Sequence, residues 1–296
     1  MSIRGFKQAF RRQLRRTRFT VGLVITSIMV LIAILASLFP FILPYPEEGL
    51  GYVPPGASSR TLLPPNPSNF FGTDTRGRDL FSRIILGARS AIIEIVVVVS
   101  ISLSIGVIVG VLASYYRGLL EYVLNYATEL LMSIPAVVIA LMVRLISGPG
   151  LHVVLASLIV TWWPWYARVS QVYSRSIVEM DYVVLAKLSG LSNLKIIYRH
   201  VIRNTLPPVL VQAVTDMGSV LLEAASINFL GLGVPLNSPE WGVIMLEGLP
   251  VITRAPWISL FPGFFLLITA LGFSLIGDSL REELDPRVRR RWRLWF

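Results

Sequence analysis

Acidic residues set in apolar sequence are the first candidates for chemistry. Glu129, Asp216 and Glu223 each interrupt a long hydrophobic run, and an ionised group placed there costs on the order of 3 kcal/mol to insert into lipid. Asp216 and Glu223 are seven positions apart, so on a helix they share a face and could border a polar path. The plainer reading is pairing within a bundle, or placement near span ends, as expected for Glu94, Arg144 and Asp278 through snorkelling. Other chemistries are excluded by composition. There is no cysteine, which removes disulfides, thiolate metal ligands and thiol nucleophiles. Only His152 and His200 are present, no metal-ligand spacing occurs, and no G-x-x-x-x-G-K-[ST] phosphate cradle exists. His152, beside Gly148-Pro149-Gly150, reads as a loop residue and not as a proton relay. No nucleophile stands near a base, so the chain is not expected to be an enzyme and needs no metal or cofactor of its own.

The elements that must position these acids are set by hydrophobicity. The chain has 296 residues, 54% hydrophobic and 15% charged, with a mean hydropathy of +0.68. A soluble domain carries about 25% charge, so this is a polytopic membrane protein. Six segments approach the roughly 20 apolar residues that cross a bilayer: 19–43, 91–115, 123–146, 151–168, 209–229 and 257–276. The fourth is short, and its Trp162, Trp163, Pro164, Trp165 and Tyr166 read as an interfacial aromatic belt. Pro135 should kink the third. The first apolar run is too long for a signal-peptide core and is expected to stay as a span.

The formal net charge of +10 gathers in short segments flanking the apolar runs, which suits lipid headgroups and not nucleic acid. The amino tail holds Arg4, Lys7, Arg11, Arg12, Arg15, Arg16 and Arg18; the carboxyl tail holds Arg281, Arg287, Arg289, Arg290, Arg291 and Arg293. Arg168, Arg175, Lys187, Lys195, Arg199 and Arg203 fill the segment before the fifth span. With six spans all three lie on one side, and the positive-inside rule makes that side cytoplasmic, although Arg76, Arg78, Arg83 and Arg89 run against it locally. The proline-rich stretch 44–71 is then an extended external linker.

That cytoplasmic segment, "DYVVLAKLSGLSNLKIIYRHVIRNTLPP" from Asp181, has a helical pattern split by glycine. Ser176-Ile-Val-Glu179 has the spacing of a capping box before a first helix, Gly190 suits the left-handed turn that ends it, and Ser192 can cap a second. In the second, Leu194, Ile197, Val201 and Ile202 recur at three- or four-residue steps. The result is a knuckle with one apolar and one basic face. It could dock in a partner's groove, pack on the chain's own spans or rest on the membrane surface.

The segment resembles the cytoplasmic loop of ABC-transporter permeases. Its glycine is Gly190, while Val184, Leu185 and Ala186 occupy the place of the usual E-A-A triplet, and Ile202 and Arg203 replace the usual leucine and proline. "FGTDTRGRDLFSRIILGARSA" from Phe71, "RHVIRN" from Arg199, "EAASINFLGLGVPLNSPEWGVIM" from Glu223 and "PGFFLLITALGFSLIGDSLREELDPR" from Pro262 extend the likeness over nearly the whole chain. Together they are similar to C-type permease subunits of dipeptide/oligopeptide ABC transporters.

The resemblance implies an all-α, six-helix type I ABC importer permease fold: basic tails at 1–18 and 278–296, a first transmembrane helix at 19–43, an external segment at 44–87, and a five-helix core at 88–277 with a coupling loop at 169–208. It implies a coupling contact with a cytoplasmic ATPase through Asp181, Val184, Leu185, Ala186, Lys187, Gly190 and Leu191, with Ala186 allowing close approach. It implies a heterodimer with a second permease, two ATPase subunits that bind ATP and Mg, and an extracytoplasmic binding protein delivering peptides. The "GTDTRGRD" turn should be knitted by local ion pairs, with Asp74, Arg76, Arg78, Asp79 and Trp241 as candidate external docking residues. Oligosaccharide or nickel import by the same machinery, or a lone ion-coupled carrier, are the competing readings. No internal inverted repeat supports the carrier.

Overall fold

The computed structural model describes residues 17–284, and all regular elements among them are helical. The basic residues of the two tails, other than Arg18 and Arg281, lie outside the described residues. In chain order the principal helices are α1 (Thr17–Leu38), α2 (Leu80–Tyr116), α3 (Gly118–Met132), α4 (Ala136–Ser147) and α5 (Leu151–Val178). There follow α6 (Asp181–Leu188), α7 (Asn193–Phe229), α8 (Trp241–Gly248) and α9 (Trp257–Leu284).

Four of these, α1, α2, α7 and α9, are long and apolar enough to cross a membrane. The expected third span is instead two helices, α3 and α4, bent by 83° at the break around Ser133–Pro135. Proline lacks the N–H that would continue the ladder and pushes its predecessor out of helical geometry, so the kink becomes a corner. The expected fourth span also differs. α5 extends ten residues beyond 168, to Val178, and Arg168, Gln171 and Arg175 keep it below the apolarity of the others. By length and apolarity alone four of the described helices pass as spans, or five when the bent pair is counted as one, while the 28-residue α5 falls short on apolarity and not on length.

α2, α5 and α7 form the centre, with α9 packed on α7 and α1 on α9. α2 begins at Leu80, well before the expected 91, because Asp79 caps it by accepting from the Ser82 N–H at 2.8 Å. Its 37 residues span about 55 Å. Close packing of α2 on α5 depends on Gly106 and Gly110, one turn apart: a Cβ on Gly106 would sit 2.5 Å from the Tyr166 Cβ. Lower on the same seam the buried Ser174 hydroxyl donates to Ser114 at 2.8 Å. α1 buries Gly22, Thr26, Met29, Ala33 and Ala36 at helical spacing and turns Val24, Ile28 and Leu31 outward.

Stretch 44–71 is not the extended linker its prolines predict. It contains a helical turn, Pro46–Gly49, and folds onto the start of α2, where the buried Glu48 meets Arg60 at 2.9 Å and accepts from the Asp79 N–H at 2.7 Å. Buried charge partners hold it down where composition alone suggested a loose connection.

Candidate functional site

The knuckle stands at the far end of α2 from Leu80. Ser176 does not cap it: α5 continues through Val178, and the Ser176 hydroxyl donates back to the Tyr173 carbonyl. The first helix, α6, starts at Asp181 and ends in a Schellman motif, with Gly190 N–H on the Lys187 carbonyl at 3.1 Å and Leu191 N–H on Ala186 at 3.3 Å. Gly190 has φ of +76°, as the split predicts, and no atom lies within 4 Å of where its Cβ would be. Ser192 occupies the cap of the second helix without a side-chain bond.

Two apolar faces result. Val183, Ala186, Ile196 and Val201 are buried and seat the knuckle on its own bundle, while Leu185, Leu188, Leu194 and Tyr198 stand 61–78% exposed. Ala186 therefore faces inward, contrary to the expected close approach to a partner. Leu194 is likewise outside and Ile196 inside, and the π-helical turn Ile197–Ile202 that follows brings Val201, five positions on, to the same buried side as Ile196. Asp181, Val184, Lys187 and Gly190 are exposed and Leu191 is half-buried. The Lys187 ammonium lies 4.4 Å over the Tyr115 ring, whose hydroxyl donates to Asn193 at 2.8 Å, tying both knuckle helices to the end of α2.

Asp216 and Glu223 do share a face of α7, and α5 supplies what the sequence reading missed. The Trp165 indole N–H donates to Asp216 at 2.9 Å, the Trp162 N–H to Glu223 at 2.6 Å, and Gln212 holds the other Asp216 oxygen at 2.9 Å. Residues 162–166 thus lie in the middle of α5, not in a terminal belt. The signal was available in the spacing, since tryptophans three apart can match acids one or two turns apart on a crossing helix. Both carboxylates border a cleft of about 350 Å³ walled by the Ile134–Pro135 break. Glu129 is not in it; it pairs with Arg168 at 3.1 Å in the neighbouring depression.

At the opposite end the "GTDTRGRD" turn closes through a Thr73–Asp79 bridge. Its ion pairs are not merely local. Asp74 holds Arg78 and Arg83, each at 2.7 Å, and both guanidiniums reach Glu247 of α8, at 2.9 and 2.6 Å. Asp74, Arg78 and Asp79 are buried, as is Trp241, whose indole donates to the Ile84 carbonyl at 2.9 Å. They have no surface to offer a docking protein, and of the candidate docking residues only Arg76 is exposed. Glu94 does not snorkel: it is wholly buried and accepts from Asn228 at 3.3 Å. Nearby Glu240 caps α8 through the Val243 N–H at 3.0 Å, and burial pushes its carboxyl up to about 7 despite the backbone amides that favour the charged form. Arg144 donates to the Gly231 carbonyl, and His152, in the first turn of α5, meets the Ser147 hydroxyl at 2.8 Å.

Residues 75–290 match the family described as binding-protein-dependent transport system inner membrane component, and residues 6–65 match the N-terminal TM domain of oligopeptide transport permease C. A dipeptide transport system permease protein of Alkalihalophilus pseudofirmus is 33% identical over 97% of this chain and 92% of its own length. The Bacillus subtilis dipeptide transport system permease protein is 31% identical over 96% of this chain and 86% of its own. The oligopeptide one of the same species is 29% identical over 91% of this chain and 86% of its own. The crystal structure of an amino acid ABC transporter with histidines shares the fold, with a TM-score of 0.54 over 69% of this chain and 95% of that one at 14% identity. The match over most of the length makes the assignment: the chain belongs to the binding-protein-dependent transport system inner membrane components.

Proposed function

We propose that this permease subunit imports peptides, forming the path with a second permease subunit and taking its power from two ATPase subunits that bind ATP and Mg. Both tails and the knuckle face the cytoplasm, and an extracytoplasmic binding protein delivers the substrate at the opposite end. The observation that carries this reading is the knuckle's second apolar face. Leu185, Leu188, Leu194 and Tyr198 stay exposed on an element whose other side is firmly seated by Val183 and Ile196. A rigidly mounted apolar ridge suits a groove on a partner, and the ATPase is that partner. ATP-driven closure of the ATPases would move the ridge as a lever and rock the bundle between inward-open and outward-open forms. Dipeptide and oligopeptide transport by the relatives supports the substrate class.

The test is the double variant Leu185→Asp/Leu188→Asp in the complete transporter. Both side chains are largely exposed in this chain, so the permease should still assemble with its partner permease. Copurification of the ATPase and binding-protein-stimulated hydrolysis should fall at least tenfold, as expected when two apolar anchors of an interface are lost. Unchanged peptide uptake in that variant would refute the docking role. Uptake of oligosaccharide in place of peptide would refute the substrate class alone.

A further inference from the structure

Charge compensation changes partway along α5. Trp162, Trp165, Arg168 and Arg175 fall at helical spacing and form one stripe. Toward the knuckle the acids facing this stripe meet guanidiniums: Glu129 pairs with Arg168, and Glu121 with Arg175. Farther from it, Asp216 and Glu223 meet only neutral donors, the two indoles and Gln212. Among the described residues no cation lies within ion-pair distance of either, and Arg281 acts on Asp216 only from beyond it. Beside them the buried Tyr166 hydroxyl approaches Asp216 without closing a hydrogen bond to any acceptor.

Neutral donors orient a carboxylate but leave its charge unbalanced. Here that charge borders an open cleft of about 350 Å³, a size that admits a small organic group. A metal ion is a poor fit, since among the described residues no three His, Cys, Asp or Glu side chains group to hold one. A primary ammonium is a good fit: it carries three donors, Glu223 has an oxygen that no donor among the described residues occupies, and indole rings line the same cleft and stabilise cations. We infer that the cleft between Trp162, Trp165, Asp216 and Glu223 is a transit subsite for the ammonium group of the substrate, the free amino terminus of a peptide. This rests on the reading of the chain as a peptide permease. Arginine-paired acids toward the knuckle supply no such unbalanced negative charge, so the ammonium is held on one stretch of the face only.

The test has two arms on the complete reconstituted transporter. In the first, binding to the purified complex is followed by tryptophan fluorescence with butylammonium, Ala-Ala and N-acetyl-Ala-Ala as probes. The first two should quench and the acetylated peptide should not, and Trp162→Phe should remove most of the signal. In the second, uptake of Ala-Ala is measured for Glu223→Gln and Asp216→Asn with the binding protein saturating. Each should lower uptake roughly tenfold, the effect of one charged hydrogen bond, while ATPase stimulation by the loaded binding protein is retained. Equal response to acetylated and free peptide, or wild-type uptake in both variants, overturns the subsite. Butylammonium quenching that depends on Glu223, in a transporter that moves no peptide, would leave the subsite standing and refute the peptide reading instead.

Discussion

The two ends of the bundle handle polarity in opposite ways. At the cap, Asp74, Arg78, Arg83 and Glu247 are drawn inside and balance one another, two acids against two guanidiniums, with all four almost wholly excluded from solvent. At the knuckle, leucines and a tyrosine are pushed out. Burying charges requires that partners be held in place, so at this end the two acids and two guanidiniums are matched by residues of the one chain. Exposing apolar area is favoured only when something else covers it, which is why the ATPase contact is proposed at the knuckle. The difference sets a network closed by this chain's own residues against a surface on which the proposed contact depends.

The comparison breaks most sharply at Glu247. Glu247→Gln keeps the shape of the side chain but leaves two buried guanidiniums with the single carboxylate of Asp74, and among the described residues Arg78 Nη1 and Arg83 Nε already lack partners. Removing one member of a buried ion cluster costs about 3–5 kcal/mol. Thermal unfolding of the purified complex and proteolysis of stretch 44–79 should both register the loss. A variant as stable as the parent would show that the network is not the cap's support.

Glu240 tests the same end through pH. Its carboxyl is raised by burial to about 7 in the folded protein, above the unfolded carboxylate value of about 4.3. The native state therefore binds this proton more tightly than the unfolded one. The stability it contributes is fully present below about pH 4 and is lost as pH rises through 7, an effect of about 4 kcal/mol at most. Protection factors of the α8 amides, corrected for the intrinsic rise of exchange with pH, should fall between pH 5 and 8. In Glu240→Gln, which can still accept from the Val243 N–H, that fall should vanish; if it persists, another group is responsible.

These contrasts also mark what sequence could and could not reveal. Long apolar runs announced α1, α2, α7 and α9, because hydrophobicity over twenty residues is a local property. Gly190 announced the knuckle's turn for the same reason, since a left-handed position is written in one residue. Pro135 marked the kink but not its 83°, which depends on how α4 packs against α5. The Arg78–Glu247 pairing joins positions 169 apart, and no local pattern encodes it; an acid in the apolar "WGVIMLEGLPV" was the only hint. The tryptophan partners of Asp216 and Glu223 stayed hidden because aromatic runs near a predicted span end read as interface. Once α5 extends to Val178, that end moves and the belt becomes the middle of a helix.

At the knuckle the expected effects on folding are smaller. Gly190→Ala must adopt a φ of +76°, which costs about 1–2 kcal/mol for an L side chain, and with nothing within 4 Å no steric term is added. A drop in Tm of several degrees is expected. A larger loss would mean that the space around Gly190 is filled by a neighbour in the assembled transporter, which comparison of the isolated permease pair with the full complex would reveal.

The smallest effect belongs to an ion pair that is short but exposed. Arg117 and Glu179 meet at 2.5 Å beside the knuckle, but their side chains are 53% and 65% exposed. Water screens them, and ordering two long side chains offsets most of the Coulomb gain, so such pairs contribute about 0–1 kcal/mol. Glu179→Gln should leave Tm within about 2 °C of the parent, far less than Glu247→Gln, whose bonds to Arg78 and Arg83 are longer but buried. Should Glu179→Gln destabilise as strongly as Glu247→Gln, burial would not be what distinguishes the two ends, and the knuckle would have to be counted among the supports of the fold.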